Sequence, residues 1–319
     1  MTKETLAAIV TAVTKEAETV KSYELVAAGG GDLPPFQAGA HVDLHLPNGM
    51  IRSYSLTNNQ NERHRYLIAV HRDHAGRGGS HFVHDSLHVG ESVTISAPRN
   101  NFPLREDASH SVLIGGGIGI TPLVAMATRL VELGQPFDLH YVARTRAHAA
   151  FLDRLEQLKG SSGVNISVLF DQETKTRLDI GKIVNTTAPE AHLYCCGPGP
   201  MLDTFKQACS GRHAEFVHLE HFGAAEPLVK DGGFEVELAQ SGLCLTVHPG
   251  RSILDALLEA GIDVAFSCEE GVCGTCETAV LSGVPDHRDQ YLSAEEREEN
   301  KTMMICCSGS RSPRLVLDL

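Results

Sequence analysis

No run of apolar residues among these 319 is long enough to cross a bilayer, so no membrane-spanning helix is expected. The opening Met1-Thr2-Lys3-Glu4 has neither the charged nor the apolar region of a signal peptide, and the expected address is cytoplasmic. No basic stripe offsets a formal net charge of −13, which argues against a nucleic-acid partner. Internal repeats and low-complexity segments are missing as well. The nine cysteines are an odd number in a chain of this length; they do not make a disulfide framework and point to a reducing compartment. What is present is ordinary for a globular protein, 42% hydrophobic and 21% charged, in a length that allows two or three domains with their own cores.

Three of the cysteines crowd into Ser267-Cys268-Glu269-Glu270-Gly271-Val272-Cys273-Gly274-Thr275-Cys276, answered thirty residues later by Cys306. The spacing C-x4-C-x2-C…C is the plant-type [2Fe–2S] pattern, with Cys268, Cys273, Cys276 and Cys306 in the four iron-binding positions. Gly271 and Gly274 let the loop curl so that backbone N–H groups can point at the sulfurs. A zinc site is the plainer alternative, but it usually shows two paired C-x2-C knuckles, and only one such pair is present. From Lys230 onward there are 16 acidic and 7 basic residues, so this segment carries about −9 of the total charge. That is either a solvated surface or an acidic face that steers docking onto a basic redox partner.

From Ala7 to about Arg105 the pattern is short strands and turns. Residues 9–14, 23–26, 41–46, 53–56, 66–70 and 92–95 alternate apolar with polar side chains between Gly, Pro and Asn clusters, which predicts a small antiparallel barrel. Within it, Arg52-Ser53-Tyr54-Ser55 sets a guanidinium and an aromatic ring on one strand face and two hydroxyls on the other. That pairing suits the phosphate and the flat ring of a flavin mononucleotide, although an ordinary strand with an exposed Arg is the commoner reading of four residues. Gly76-Arg77-Gly78-Gly79-Ser80, ahead of a predicted helix over 80–87, has the makings of a phosphate nest. The two segments together point to a phosphorylated flavin.

Between Ser109 and Phe222 strands alternate with helices. The strand 110–114 turns through Gly115-Gly116-Gly117-Ile118-Gly119-Ile120-Thr121-Pro122 into a helix running to about Leu133. Its glycines permit close approach of a pyrophosphate to the free N–H groups at the helix start, although G-x-G-x-x-G is not matched. Pro122 suits the first helical position. A strand 137–143, a helix 147–158 and a strand 164–170 follow, ending at Asp171. There a carboxylate can accept from a ribose hydroxyl and repel a 2′-phosphate, or simply make a turn. Arg144 and Arg146 keep NADPH open. The strand Ala191-His192-Leu193-Tyr194-Cys195-Cys196 breaks at Gly197-Pro198, which places Cys196 at a strand's carboxyl end, where open α/β sheets bind ligands. Residues 223–233 read as a linker. Beyond it a hairpin (234–238 and 243–247), a helix (253–260), the cysteine loop and strands at 278–281 and 315–318 suggest a β-grasp closure.

This constellation resembles the phthalate dioxygenase reductase and vanillate demethylase reductase family along essentially the whole chain. The likeness rests on Arg52-Ser53-Tyr54-Ser55, Gly76 to Ser80, Gly115 to Pro122, Cys195 to Pro198, Glu220-His221-Phe222 and the final cysteine set. It implies a multidomain protein: an antiparallel β-barrel for FMN over 1–106, a parallel-sheet α/β domain for NADH over 107–224, a linker over 225–233, and a β-grasp ferredoxin domain over 234–319. It further implies that Arg52, Ser53, Tyr54, Ser55, Arg77, Gly78, Gly79 and Ser80 hold FMN. Gly116, Gly117 and Thr121 would face NADH, Cys196 would sit near the reactive carbon, and Phe222 would cover the flavin; Asp171 stays the candidate for the ribose on its position alone. After Cys306 the family commonly has an apolar residue; here Cys307 takes that position and is expected on the opposite strand face.

The implied activity is transfer of electrons from NADH through FMN and the [2Fe–2S] cluster to a terminal Rieske-type oxygenase, by a monomer. A ferredoxin-like binding module with a vestigial flavin domain, and a reductase for a non-Rieske monooxygenase, are the alternatives. The aromatic substrate belongs to the partner and is not written in this chain.

Overall fold

The computed structural model describes residues 5–47, 50–73, 78–222, 233–266, 269, 271, 274–289 and 291–319. They fall into two compact units divided after Phe222.

The first unit opens with six strands, β1 (Thr5–Ala17), β2 (Val20–Ala27), β3 (His41–His45), β4 (Ile51–Ser55), β5 (Tyr66–His71) and β6 (Ser92–Ser96), with helix α1 (Gly79–Ser86) before the last. They form an antiparallel sheet in the order β4-β3-β6-β1-β2-β5. A bridge between Leu56 and Ile68 joins the two edge strands and closes the barrel. Alternation drives it: Ala8, Val10, Tyr23, Leu25, Val42, Leu44, Ile68, Val70 and Ile95 all point into one core, and each large apolar side chain buried there stabilises by roughly 1.5–3 kcal/mol.

Next come β7 (Ser111–Gly116), α2 (Ile120–Leu133), β8 (Phe137–Ala143), α3 (Leu152–Leu158), β9 (Val164–Phe170), α4 (Asp171–Thr174), α5 (Ile180–Thr186), β10 (His192–Gly197), α6 (Gly199–Ala208) and β11 (Val217–His221). The strands run parallel in the order β11-β10-β7-β8-β9. Because the chain winds first toward β9 and then back past β7 to β11, the crevice between the carboxyl ends of β7 and β10 is the switch point at which such sheets take ligands. Helices α2 and α3 cover one face and α5 and α6 the other. The barrel and the parallel sheet share a core. Ala17, Val20, Ala38 and Phe102 pack with α2 and Tyr194, and Arg129 forms a two-pronged pair with Glu106 at 2.8 Å on each arm.

Two expectations for this unit need correction. Helix α2 begins two residues before Pro122, after a 3₁₀ turn over Gly117–Gly119; the missing N–H still costs nothing in the first helical turn. The helix expected over 147–158 is a 3₁₀ turn (Arg146–His148) followed by α3, because Phe151 takes a left-handed φ of 60°. Strand β9 ends at Phe170 as expected, and Asp171 follows it in the single turn α4.

The second unit contains β12 (Phe234–Leu238), β13 (Cys244–Val247), α7 (Ile253–Glu259), β14 (Glu277–Ser282), β15 (Pro285–Asp286), α8 (Ala294–Glu299), β16 (Thr302–Met304), β17 (Gly309–Ser310) and β18 (Arg314–Leu317). Its main sheet has the order β13-β12-β18-β14-β16. Ser252 and Asp255 form a capping box that starts α7, whose Ile253, Leu254 and Leu257 pack on Val236, Leu238, Leu315 and Leu317. Most of the expected linker lies outside the described residues.

Candidate functional site

Two polar sites occupy the first unit. In the barrel, β4 pairs with β3 so that Ser53 faces Asp43. The Ser53 hydroxyl donates to Asp43 at 2.7 Å and the Arg99 guanidinium to the same carboxylate at 2.6 Å, so Ser53 is tied into the barrel wall. Arg52 reaches the start of α1: a Cβ added to Gly79 would lie 2.6 Å from its Nε. Gly78 ahead of it holds a left-handed φ of 90°, and the Ser80 hydroxyl accepts from the Asp73 amide at 3.1 Å. A guanidinium laid on a helix N-terminus is a cradle for a phosphate. Tyr54 is half-buried beside the barrel core. Ser55 is buried, and its Oγ is sealed from solvent with no hydrogen-bond partner among the described residues. Such atoms are rare and look for a ligand group. The residues present therefore fit a phosphorylated flavin; Arg77 lies outside the described residues.

The second site is the crevice between β7 and β10. Gly116 and Gly197 meet there so closely that a Cβ on Gly116 would lie 2.8 Å from Pro198 Cδ. Gly117 has a φ of 54°, with nothing within 4 Å of an added Cβ. The Thr121 hydroxyl donates to the Ile118 carbonyl at 3.0 Å and steadies the turn. Cys196 is fully buried on the α2 face of β10, while Cys195 on the opposite face packs with α6. Burial, and then the nearby Glu220, push the Cys196 thiol well above its ordinary value, so it is neutral at physiological pH.

Glu220 is the register partner of Cys196 on β11. Its Oε2 is sealed from solvent with no donor among the described residues, and burial pushes its carboxyl up to about 8. Sequence reasoning quoted Glu220 as part of a motif and gave it no role, because its neutrality follows from burial. Asp171 keeps a sealed Oδ1 without a donor. Two polar atoms waiting for partners at the carboxyl ends of a parallel sheet fit a dinucleotide. Phe222, just past β11, is 38% exposed, as suits a ring that covers a flat ligand.

In the second unit, Cys276 and Cys306 are buried in one core. β14 pairs with β16 through Glu277 and Met304, and the Ile305 amide donates to the Cys276 carbonyl at 3.4 Å, which brings the two thiol-bearing segments together. Gly271 and Gly274 take left-handed φ of 74° and 72°, the curl that four converging thiolates require. Cys268 and Cys273 lie outside the described residues. Cys306 and Cys307 do not lie on a strand. The Met304 carbonyl accepts from the amides of Cys307 and Ser308 at 3.3 and 2.9 Å, and this turn removes the two-face alternation expected for Cys307.

Fold and site together define a pyridine-nucleotide-, flavin- and iron–sulfur-dependent oxidoreductase. Residues 113–207 match the oxidoreductase NAD-binding domain, and residues 236–310 match the 2Fe-2S iron-sulfur cluster binding domain. The chain is 49% identical to the phenoxybenzoate dioxygenase subunit beta of Ectopseudomonas oleovorans, over 97% of this chain and 95% of that protein. It is 43% identical to the vanillate O-demethylase oxidoreductase of Pseudomonas putida, over 98% and 99%. The solved structure of phthalate dioxygenase reductase, described as modular for electron transfer from pyridine nucleotides to [2Fe-2S], superposes with a TM-score of 0.76 at 39% identity, covering 99% of this chain and 98% of that one.

The chain belongs to the phthalate dioxygenase reductase and vanillate demethylase reductase family. It is an NAD(P)H-dependent flavin and iron–sulfur oxidoreductase. Among the described residues no helix is long and apolar enough to cross a membrane.

Proposed function

We propose that this chain is the NADH-oxidising reductase of a two-component Rieske-type oxygenase acting on an aromatic acid of the phthalate or vanillate kind. The observation that carries the reading is the set of sealed, unpartnered polar atoms, Ser55 Oγ in the barrel and Glu220 Oε2 and Asp171 Oδ1 at the parallel sheet, in a unit built on one shared core. FMN, when bound, accepts an electron pair as hydride and releases electrons singly, which a one-electron cluster requires.

In this reading Arg52, Arg77, Gly78, Gly79 and Ser80 hold the flavin phosphate, Tyr54 and Ser55 line the ring, and Ser53 fixes the strand through Asp43. Gly116, Gly117 and Thr121 bind the pyrophosphate end of NADH. Asp171 accepts from the adenosine ribose and repels a 2′-phosphate, which favours NADH over NADPH. Cys196, as a neutral thiol, and Phe222 border the place where nicotinamide meets flavin. Cys268, Cys273, Cys276 and Cys306 ligate the iron. The working chain is a cytoplasmic monomer organised as residues 1–106, 107–224, a linker 225–233, and 234–319. The acidic balance of the last segment steers it onto a basic face of the oxygenase.

Anaerobic titration with NADH, followed by reconstitution with the oxygenase encoded beside this chain, tests the reading. Flavin and cluster bands should bleach together and the aromatic acid should turn over. Bleaching of the flavin alone, or turnover only with a cytochrome or another monooxygenase, would sink it.

A further inference from the structure

Both left-handed glycines of the cysteine loop are covered by one short segment of the same unit. A Cβ on Gly271 would lie 2.9 Å from Asp289 Cα and 3.1 Å from its Cβ, with the Cys307 sulfur nearer still. A Cβ on Gly274 would lie 2.8 Å from Cε1 of Tyr291, with two other atoms of that ring closer. Residues 289 and 291 therefore lie against Gly271 and Gly274, and glycine is required at 271 and 274 for space as well as for φ.

What pins this strap is Asp289, which is 2% exposed. Its Oδ2 accepts from the amides of Leu292 at 2.8 Å and Tyr291 at 3.2 Å. Its Oδ1 accepts from the Ser308 hydroxyl at 3.4 Å. Ser308 stands two residues past Cys306 and also accepts from the Arg288 amide at 3.2 Å. The Asp289 carbonyl accepts from Arg297 of α8 at 2.6 Å. Around the carboxylate stand two basic groups, the Arg297 guanidinium at 3.8 Å and His287 Nδ1 at 3.7 Å. One buried side chain thus ties together the loop that carries Cys276, the turn that carries Cys306, and helix α8. A structural aspartate could equally be a turn-maker on the surface; burial against Gly271 and the bond to Ser308 are what set this one apart.

We propose that Asp289 is a positioning residue for the iron–sulfur centre. Its carboxylate fixes Asp289, Tyr291 and Leu292 against Gly271 and Gly274, and its buried negative charge keeps the centre's reduction potential low. The proposal rests on the reading of Cys268, Cys273, Cys276 and Cys306 as the iron ligands. The physical reason is Coulombic: a fixed negative charge in a poorly screened interior disfavours the arrival of another electron, and a fixed positive charge favours it. Asp289 and Arg297 should therefore act in opposite directions, whereas mere loosening of the strap would move the potential the same way whichever of them is changed.

The test uses the full-length protein with its prosthetic groups. Iron content, the electron paramagnetic resonance spectrum and the potentiometric midpoint of the reduced cluster are measured for wild type, Asp289→Asn, Asp289→Glu and Arg297→Gln. Asp289→Asn should keep its iron and shift the midpoint to more positive potential with altered g-values. Arg297→Gln should shift it to more negative potential, and Asp289→Glu should restore the wild-type value in large part. Unchanged midpoints and spectra, or shifts of the same sign in Asp289→Asn and Arg297→Gln, overturn the proposal. If Asp289→Asn does not retain iron, Arg297→Gln decides alone: a negative shift supports and no shift refutes. A wild-type protein without iron would instead sink the ligand reading beneath it.

Discussion

Substituting alanine for Gly119 isolates the close packing that builds the nucleotide crevice. Gly119 is the N-cap of α2 with a φ of −62°, so alanine suffers no backbone strain there. Space is the obstacle. The new Cβ would lie 2.7 Å from the Gly197 amide nitrogen, with the Cys196 carbonyl closer still. Relaxed carbon contacts need about 3.5 Å, so the 3₁₀ turn or β10 must retreat by about 1 Å. The obstruction is main chain in a parallel sheet, and the overpacking cost should fall at the upper end of the usual range, about 3 kcal/mol. The same retreat spreads the place where Gly197 and Gly116 face each other, and a misplacement of about 1 Å can cost about 100-fold in rate.

The assay is stopped-flow reduction of the flavin by NADH, with urea unfolding in parallel. Gly117→Ala serves as the control for the unfolding measurement alone, because Gly117 belongs to the proposed NADH site. Nothing lies within 4 Å of its added Cβ, so it meets only the left-handed penalty of about 1–2 kcal/mol. If Gly119→Ala reduces flavin at the wild-type rate and unfolds within about 0.5 kcal/mol of wild type, the packing argument is wrong.

Three further outcomes follow from other parts of the molecule. Glu220 has its carboxyl raised from 4.5 to about 8 by burial, so the folded chain keeps a proton that the unfolded chain gives up. Stability should therefore fall as pH rises from about 4.5 to about 8, by up to a few kcal/mol, and level off beyond. Glu220→Gln should flatten that dependence in urea titrations at pH 5.5 and 8, and an unchanged slope would refute the burial argument. Arg52→Ala should weaken flavin retention about 10- to 100-fold, the worth of a charge-assisted hydrogen bond, with iron content unaltered; flavin-to-protein ratios after gel filtration read this directly. Asp43→Ala leaves the Arg99 guanidinium without its 2.6 Å partner and should cost about 3 kcal/mol, seen as a lower thermal midpoint of the first unit.

The barrel strands and the glycine turn were legible in the sequence because their signals are local: alternation in Tyr23-Glu24-Leu25-Val26, and glycines followed by an apolar helix from Ile120. The same holds for the thiol spacing. Strand β11 was missed because His218 and Glu220 lie on its inward face with Cys196 and Tyr194 opposite, so polarity there does not mark the solvent side. Helix α5 escaped because Gly181 interrupts its first turn; Asp179 caps it by accepting from the Lys182 amide at 2.8 Å. Helix α8 is almost wholly acidic and shows no apolar stripe, and it starts on the Ser293–Glu296 capping box. The importance of Glu220, Asp289 and Ser55 arises from what surrounds them, and no pattern in a linear sequence carries it.

The barrel and the parallel sheet have pooled their interiors, with Phe102 edge-on to Tyr194 at 5.7 Å and the Arg105 amide donating to the Tyr194 hydroxyl at 2.8 Å. A protein engineer seeking chimaeras should treat residues 5–222 as one indivisible cassette. Grafting a foreign nucleotide module at the Arg105 junction would strip both halves of their shared lining. A crossover placed beyond Phe222 exchanges the electron outlet and leaves the hydride-handling half whole.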